Sequence, residues 1–105
     1  MSINYFLDEF KKIKKQDALV WNEKIFTYEH LLNKINFWKI KIKELAIKQG
    51  SVVAIEGDYS PNTISLFFVL IEEKCIIVPI TKAVAQKKSE FLKISQTQLI
   101  ISIDE

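Results

Sequence analysis

Cysteine and histidine, whose side chains serve as zinc ligands and as catalytic groups, are rare in this chain of 105 residues. Cys75 is its one cysteine and His30 its one histidine. A structural zinc site needs about four such ligands, so these two predict neither a metal site nor an intrachain disulfide. Glu29 precedes His30, but no serine or cysteine stands at a spacing that suggests a nucleophile pair. The sequence therefore predicts no catalytic, cofactor-binding or metal-binding residue.

A turn at 57–62 is the next candidate site, because it joins a buried apolar run to the start of a helix. Free N–H groups at a helix start can hold phosphate or carboxylate. The turn reads GDYSPN, with one glycine and neither of the glycine patterns that bind nucleotides. Ser60 can cap the helix, and Pro61 suits its first position. A capped helix start is the favoured interpretation.

The charged and aromatic residues offer two further candidates for binding. The net charge is +2 and all fifteen positive charges are lysines, so no guanidinium is present for bidentate contacts with nucleic acid. A basic cluster near the N-terminus is interspersed with acidic residues, which favours a solvated helix face. Four aromatic residues could stack on single-stranded bases, but their spacing favours the core. The basic cluster is Lys11, Lys12, Lys14 and Lys15, and the aromatic residues are Trp21, Phe26, Tyr28 and Trp38.

Length and composition predict one globular domain over residues 1–105. Apolar residues make up 49% of the chain, which is enough for a core and argues against disorder. The first residues lack the basic segment and apolar run of a signal peptide. The apolar run at 64–80 is interrupted by Glu72, Glu73 and Lys74, which argues against a membrane helix. A cytoplasmic protein is the default expectation.

Apolar periodicity divides the first half of the chain into a helix, two extended segments joined by a plausible turn at 22–24, and a second helix. A short amphipathic helix is predicted at 4–15, and strands at 18–21 and 25–26. Thr27 is a suitable N-cap for the long helix that follows, and Gly50 is predicted to be its left-handed C′ residue. The apolar stripe of this helix consists of Tyr28, Leu31, Leu32, Ile35, Trp38, Ile42, Leu45 and Ala46.

Strands and helices alternate in the second half of the chain. Buried strands are predicted at 52–55, at 75–78 before Pro79, and at 99–103, with a short helix at 86–95. Alternation of this kind predicts βαβ units with right-handed crossovers. We therefore expect an α/β fold with a mostly parallel sheet and helices on both faces, preceded by a short N-terminal helix.

The helix predicted from Pro61 to about Glu73 is apolar all round, with six consecutive apolar residues at 66–71. Such a helix is normally covered on every side, whereas a domain this small should leave one side of an outer helix in water. We therefore expect another element to cover it, either the rest of a larger protein or a partner.

The order of these features resembles the N-terminal region of the adenylate-forming superfamily, the acyl-CoA synthetases and their relatives. Three segments carry the resemblance: TYEHL at 27–31, GSVVAI at 50–55, and the helix and strand at 66–80 that end in VPI. Ser51 replaces the family's usual aspartate, and Lys74 and Val69 replace a glycine and an alanine. The resemblance covers nearly the whole chain from about Ala18, and it implies a divergent member.

The resemblance implies an activity for a parent enzyme. Members of the family join ATP and a carboxylate into an acyl-adenylate with release of pyrophosphate, then transfer the acyl group to a thiol or amine. Their phosphate loop, acyl pocket, ribose-binding segments and catalytic lysine lie downstream of this region. No catalytic or nucleotide-binding residue is therefore carried over, and ATP and Mg are implied for the parent alone.

Two functions follow as expectations. The first is an N-terminal scaffold subdomain, inactive alone, whose partner is the remainder of the parent enzyme. The alternative is a stand-alone, non-catalytic interaction module of the same fold that self-associates or binds a protein partner. Neither nucleic acid nor membrane is expected as a partner.

Overall fold

A computed structural model describes residues 3–81 and 86–103 of the chain. In the described part, β1 and β2 form an antiparallel hairpin, and the other three strands form a parallel sheet in the order β4-β3-β5. This is the predicted α/β fold, with helices flanking the parallel sheet. The elements are α1 (Ile3–Lys12), β1 (Asp17–Trp21), β2 (Lys24–Thr27), α2 (Tyr28–Glu44), β3 (Val52–Glu56), α3 (Pro61–Glu72), β4 (Ile76–Ile80), α4 (Lys88–Ser95) and β5 (Leu99–Ser102).

The core lies between one face of the parallel sheet and the helices α1, α2 and α3. Val53 and Ile55 point to this face from the central strand, and the neighbouring strands place Ile77 and Ile101 against the same cluster. Each helix contributes one apolar stripe to it. The buried members are Leu7, Ile35, Ile42, Val53, Ile55, Leu66, Val69 and Leu70.

The helix α4 contacts the sheet through an ion pair between Lys88 and Glu56. Glu56 follows Ile55 in β3, so its side chain points to the face opposite the core described above. The parallel sheet therefore has α3 on one face and meets α4 from the other, as the βαβ pattern predicts.

The first helix ends at Lys12, before the predicted end at residue 15. The reason is that the turn after α1 caps the start of α2. The N–H of Tyr28 donates to the carbonyl oxygen of Gln16 at 3.1 Å, and the N–H of Glu29 to that of Lys14 at 2.8 Å. Because the first N–H groups of a helix have no partner within it, these bonds stabilise α2 at the expense of a longer α1.

Three helices end through left-handed residues that are not glycine. Ala46 follows α2 with a φ of 53°, Lys74 follows α3 with 56°, and Gln96 follows α4 with 55°. In α3, the N–H of Cys75 then reaches back to the carbonyl oxygen of Leu70 at 3.0 Å. A hydrogen bond with the same spacing is present at the ends of α2 and α4. It is the 6→1 bond of a Schellman motif.

The prediction that Gly50 is the C′ residue of α2 is wrong, because Ala46 takes that position. The N–H of Ile47 donates to the carbonyl oxygen of Ile42 at 3.5 Å, and both side chains contact the core cluster. The apolar contact that accompanies a Schellman motif therefore ends the helix earlier. Gly50, with a φ of 85°, lies in the connection to β3.

The prediction that Pro79 ends the second buried strand is also wrong. β4 runs on to Ile80, and Pro79 pairs in register with Ile55 of β3. Within the described residues β4 is an edge strand, so the missing N–H of a proline leaves no neighbouring carbonyl unsatisfied. Cys75 precedes the strand, since its N–H closes α3 instead.

Candidate functional site

The clearest candidate surface in the described part of the chain is the outer side of α3. The inner side is no more than 1% exposed and consists of Thr63, Leu66, Val69 and Leu70. On the outer side, four residues at positions i, i+3, i+4 and i+7 line a shallow depression of about 220 Å³. We call this set the outer stripe: it consists of Ile64, Phe67, Phe68 and Ile71. Ile71 is 54% exposed and the other three are half-buried.

Aromatic rings border the outer stripe on two sides. The ring of Phe10 in α1 meets the ring of Phe68 edge-on, with 5.7 Å between centroids. Tyr59, in the turn before α3, meets Phe67 at 5.8 Å and is itself 49% exposed. Contiguous apolar side chains on a surface are typical of an interaction site. Apolar residues thus lie on both sides of α3, and the expectation that another element covers the helix stays a prediction.

The start of α3 is buried and capped by its own hydroxyl groups. The Oγ of Ser60 accepts the N–H of Thr63 at 3.2 Å and donates to its Oγ1 at 3.2 Å. The Oγ of Ser65 donates to the carbonyl oxygen of Pro61 at 2.7 Å. Because all three hydroxyl residues are no more than 1% exposed, this geometry supports the capped helix start over an anion site.

Gly57, the glycine of the same turn, brings the ends of two strands together. Its φ is 156°, and an added Cβ would lie 3.0 Å from the carbonyl oxygen of Ile103. The N–H of Gly57 donates to the carbonyl oxygen of Ile80 at 3.0 Å, and the N–H of Ile103 donates to the carbonyl oxygen of Glu56 at 2.8 Å. The glycine is therefore needed for close approach of the backbones, which is a structural role.

The histidine and the cysteine have packing contacts. The ring of His30 lies against Phe26, with 4.8 Å between centroids. The thiol of Cys75 lies 3.9 Å from the carbonyl oxygen of Glu73. Burial raises the pKa of the Cys75 thiol, and the negative charge of Glu73 raises it further. The thiol is thus protonated at neutral pH and is a poor nucleophile.

The basic cluster near the N-terminus is a solvated surface. The Nζ of Lys11 lies 3.9 Å from the Oδ1 of Asp8, and the Nζ of Lys12 lies 3.0 Å from the Oε1 of Glu9. Both ion pairs are on the exposed side of α1. Exposed pairs one helical turn apart contribute little to stability. The four lysines of the cluster are all exposed, which supports the solvated helix face.

A groove of about 300 Å³ runs between α1 and α2, with Leu7 and Ile35 among its lining residues. Its charged lining residues are Lys11, Lys14, Lys39 and Glu29. Two of the lysines pair with carboxylates outside the lining: the Nζ of Lys39 lies 3.6 Å from Glu72, and that of Lys11 lies 3.9 Å from Asp8. These ion pairs offset part of the positive charge of the groove.

The four aromatic candidates lie in separate places. The Nε1 of Trp38 donates to the Oδ1 of Asn62 at 2.6 Å and so ties the middle of α2 to the start of α3. Tyr28 lies against Phe10, with 4.9 Å between ring centroids. Trp21 and Phe26 are half-buried in the hairpin. These positions support packing over a common stacking platform.

ATP and Mg²⁺ would need a phosphate-binding loop and a group of metal ligands. Over 3–81 and 86–103, no group of three or more His, Cys, Asp and Glu side chains is placed to hold a metal ion. The whole chain has only two glycines, and neither belongs to a phosphate-binding loop. The predicted absence of cofactor-binding residues stays a prediction.

Over residues 3–81 and 86–103, no helix has the length and apolar character needed to cross a membrane.

No protein-family model matches the chain, and no curated protein sequence does either. Solved structures do match it in fold. The N-terminal subdomain of NpsA from Klebsiella oxytoca has a TM-score of 0.81 at 20% identity, over 98% of this chain and 28% of that one. The crystal structure of VinN has a TM-score of 0.84 at 16% identity, over 99% of this chain and 28% of that one.

A third match is the inhibitor-bound N-terminal domain of FACL13 from Mycobacterium tuberculosis. Its TM-score is 0.80 at 22% identity, over 96% of this chain and 26% of that one. The chain thus spans 26–28% of the length of these three structures. At this level of identity the matches concern the fold alone. The chain has the fold of a part of the N-terminal subdomain of NpsA and of the N-terminal domain of FACL13, which agrees with the N-terminal position that the resemblance implied.

Proposed function

We propose that this chain is an N-terminal scaffold subdomain of an ATP-dependent, acid-activating ligase of the acyl-CoA synthetase type. The observation that carries the proposal is the outer stripe of α3, an apolar surface on a fold that elsewhere makes up about a quarter of longer chains. The remainder of the parent enzyme would cover this surface and supply the sites for ATP, Mg²⁺ and the acid. The parent is expected to be cytoplasmic.

The scaffold role includes inactivity of the chain alone. Its one thiol is protonated at neutral pH, since its pKa is raised, and the described residues offer neither a phosphate loop nor a metal site. The buried hydroxyl groups at the start of α3 bond to one another and so serve to cap the helix. These side chains stabilise the fold and leave the chemistry to other parts of the parent.

The experiment is ATP–pyrophosphate exchange with a panel of carboxylic acids, run on the purified 105-residue chain and on the full-length product of its reading frame. We expect no exchange above background for the chain and acid-dependent exchange for the full-length protein. Exchange catalysed by the chain alone would contradict the scaffold role. A full-length protein that is inactive with every acid would contradict the ligase role.

The second candidate is the stand-alone interaction module, and the exposure of Ile71 and Tyr59 favours it, since self-association would also cover them. The two candidates differ in what the reading frame encodes after Glu105. A Ser/Thr/Gly-rich phosphate loop there supports the subdomain, whereas a short protein that forms dimers supports the module.

A further inference from the structure

The solvent-facing side of α2 combines exposed apolar side chains with lysines. Phe37 is 46% exposed and Ile40 is 61% exposed. They are three residues apart and are therefore neighbours on the helix surface. The Nζ of Lys34 lies 5.9 Å from the centroid of the Phe37 ring, and the Nζ of Lys41 lies 5.8 Å from it. We call Lys34, Phe37, Ile40 and Lys41 the α2 patch.

The fold does not need the exposed side chains of the α2 patch. The opposite side of α2 supplies the core with Leu31, Ile35 and Ile42, which are no more than 4% exposed. An amphipathic helix normally has polar residues on its outer side. Because Phe37 and Ile40 remain in water, their apolar surface can stabilise nothing until a partner covers it.

The charges on α2 are mostly positive. The helix contains four lysines and two glutamates. The Nζ of Lys41 lies 3.6 Å from the Oε2 of Glu44. In the described part of the chain, no carboxylate forms an ion pair with Lys34 or Lys43. The excess positive charge is complementary to carboxylates of a partner.

Other anionic partners fit the α2 patch less well. A helix that lies on a membrane places its large apolar side in the lipid, whereas that side of α2 packs in the core. Single-stranded nucleic acid stacks its bases on open aromatic rings, whereas lysine ammonium groups lie over the ring of Phe37. Two copies of the patch in a symmetric dimer would place lysines near lysines, which opposes self-association through it.

The lysines also favour a separate protein over a permanent contact within one polypeptide. Lysine is depleted in the buried centre of interfaces, and charged residues are accommodated at the solvated rim. Charges at a rim accelerate the diffusional encounter of two molecules, which is of no use to segments already joined in one chain. A small apolar centre with lysines beside it therefore fits a transient interface.

We infer that the α2 patch binds an acidic segment of a separate protein. A large apolar side chain of that segment packs on Phe37 and Ile40, and carboxylates flanking it pair with Lys34 and Lys41. The two lysines are seven positions apart, which is about 10 Å along the axis of a helix, and this distance sets the separation of the carboxylates. The inference does not depend on the outer stripe or on the proposed function.

The test is the selection of binding peptides from a random-sequence display library, with the 105-residue chain as bait. We expect enriched peptides in which acidic residues flank a large apolar residue. The double variant Lys34→Glu and Lys41→Glu should bind them at least about tenfold more weakly, because two attractions become two repulsions. If circular dichroism shows that this variant is unfolded, glutamine replaces both lysines. The matched control, Lys14→Glu with Lys15→Glu, changes two other exposed lysines and should bind like the wild type.

A charge swap sharpens the test. Selected peptides whose acidic residues are replaced by lysine should bind the Lys34→Glu, Lys41→Glu variant and should not bind the wild type. The inference is overturned if no enriched peptide depends on Lys34 and Lys41, or if the control variant loses as much binding. It is also overturned if vesicles of phosphatidylcholine and phosphatidylglycerol bind the chain and release the patch variant alone, because the partner would then be a membrane.

Discussion

The two sides of α3 have similar amino-acid composition and different surroundings. On the inner side, Leu66 and Leu70 are 0% exposed against the sheet and the other helices. On the outer side, Ile71 is 54% exposed and lies next to aromatic rings. Apolar burial stabilises a fold only when water is removed from both surfaces. The inner side therefore stabilises this chain, whereas the outer side can contribute only when something else packs on it.

The largest expected effect separates these two sides directly. Leu66→Ala should lower the free energy of unfolding by about 2–5 kcal/mol, because it opens a cavity in a closed core. Ile71→Ala should change it by less than about 0.5 kcal/mol, because the side chain is half in water already. Urea denaturation of the chain measures both. Equal losses would mean that the two sides are equally buried and would remove the basis of the comparison.

A smaller effect is expected where α2 is tied to the start of α3. Asn62→Ala leaves the Nε1 of Trp38 without its acceptor, and a half-buried unsatisfied donor costs about 1–3 kcal/mol. A double-mutant cycle with Trp38→Phe isolates the bond from the loss of packing. A coupling energy near zero would show that the bond is not formed in solution.

The cap of α3 should have an effect of about the same size or less. Ser60→Ala removes the acceptor for the N–H of Thr63 and should cost about 0.5–2 kcal/mol. Thr27→Ala, at the more exposed start of α2, is the matched variant and should cost less, because water can reach the freed N–H. A smaller loss for Ser60 than for Thr27 in denaturation experiments would contradict the role of burial here.

The smallest effect is a gain in stability at the other end of α3. Lys74 has a φ of 56°, and a left-handed conformation costs a residue with a Cβ about 1–2 kcal/mol. Glycine avoids this cost but loses more backbone entropy on folding, so Lys74→Gly should stabilise the chain by up to about 1 kcal/mol. Ala46→Gly should act in the same direction. A lower melting temperature for both variants would argue against Schellman motifs at these helix ends.

Features that depend on local sequence could be predicted well. Thr27 and Ser60 cap their helices as expected, and the alternation of strands and helices correctly indicated the parallel sheet. The even apolarity of 66–71 indicated that α3 would have two apolar sides. The caps and the apolar run each lie within a few consecutive residues, and the alternation follows from the order of such segments along the chain, so the sequence alone was enough to find them.

Features that depend on distant contacts could not be predicted. α1 stops early because the carbonyl groups of Lys14 and Gln16 are used by α2. Ala46 takes the C′ position of α2 because the contact of the next residue, Ile47, with the core outweighs the preference for glycine. Pro79 lies inside a strand because that strand has no described neighbour on one side. The four residues of the outer stripe were within the apolar run, but only the fold shows which of its members face outward.

The central claim is that the outer stripe exists to be covered, and sedimentation velocity of the chain over a range of concentrations tests it most directly. We compare the wild-type chain with the double variant Phe67→Lys and Ile71→Lys, and with Ile40→Lys as the control at another exposed apolar position. We predict concentration-dependent self-association for the wild type and the control, and a folded monomer for the double variant. A wild-type chain that stays monomeric at the highest concentration would contradict the claim.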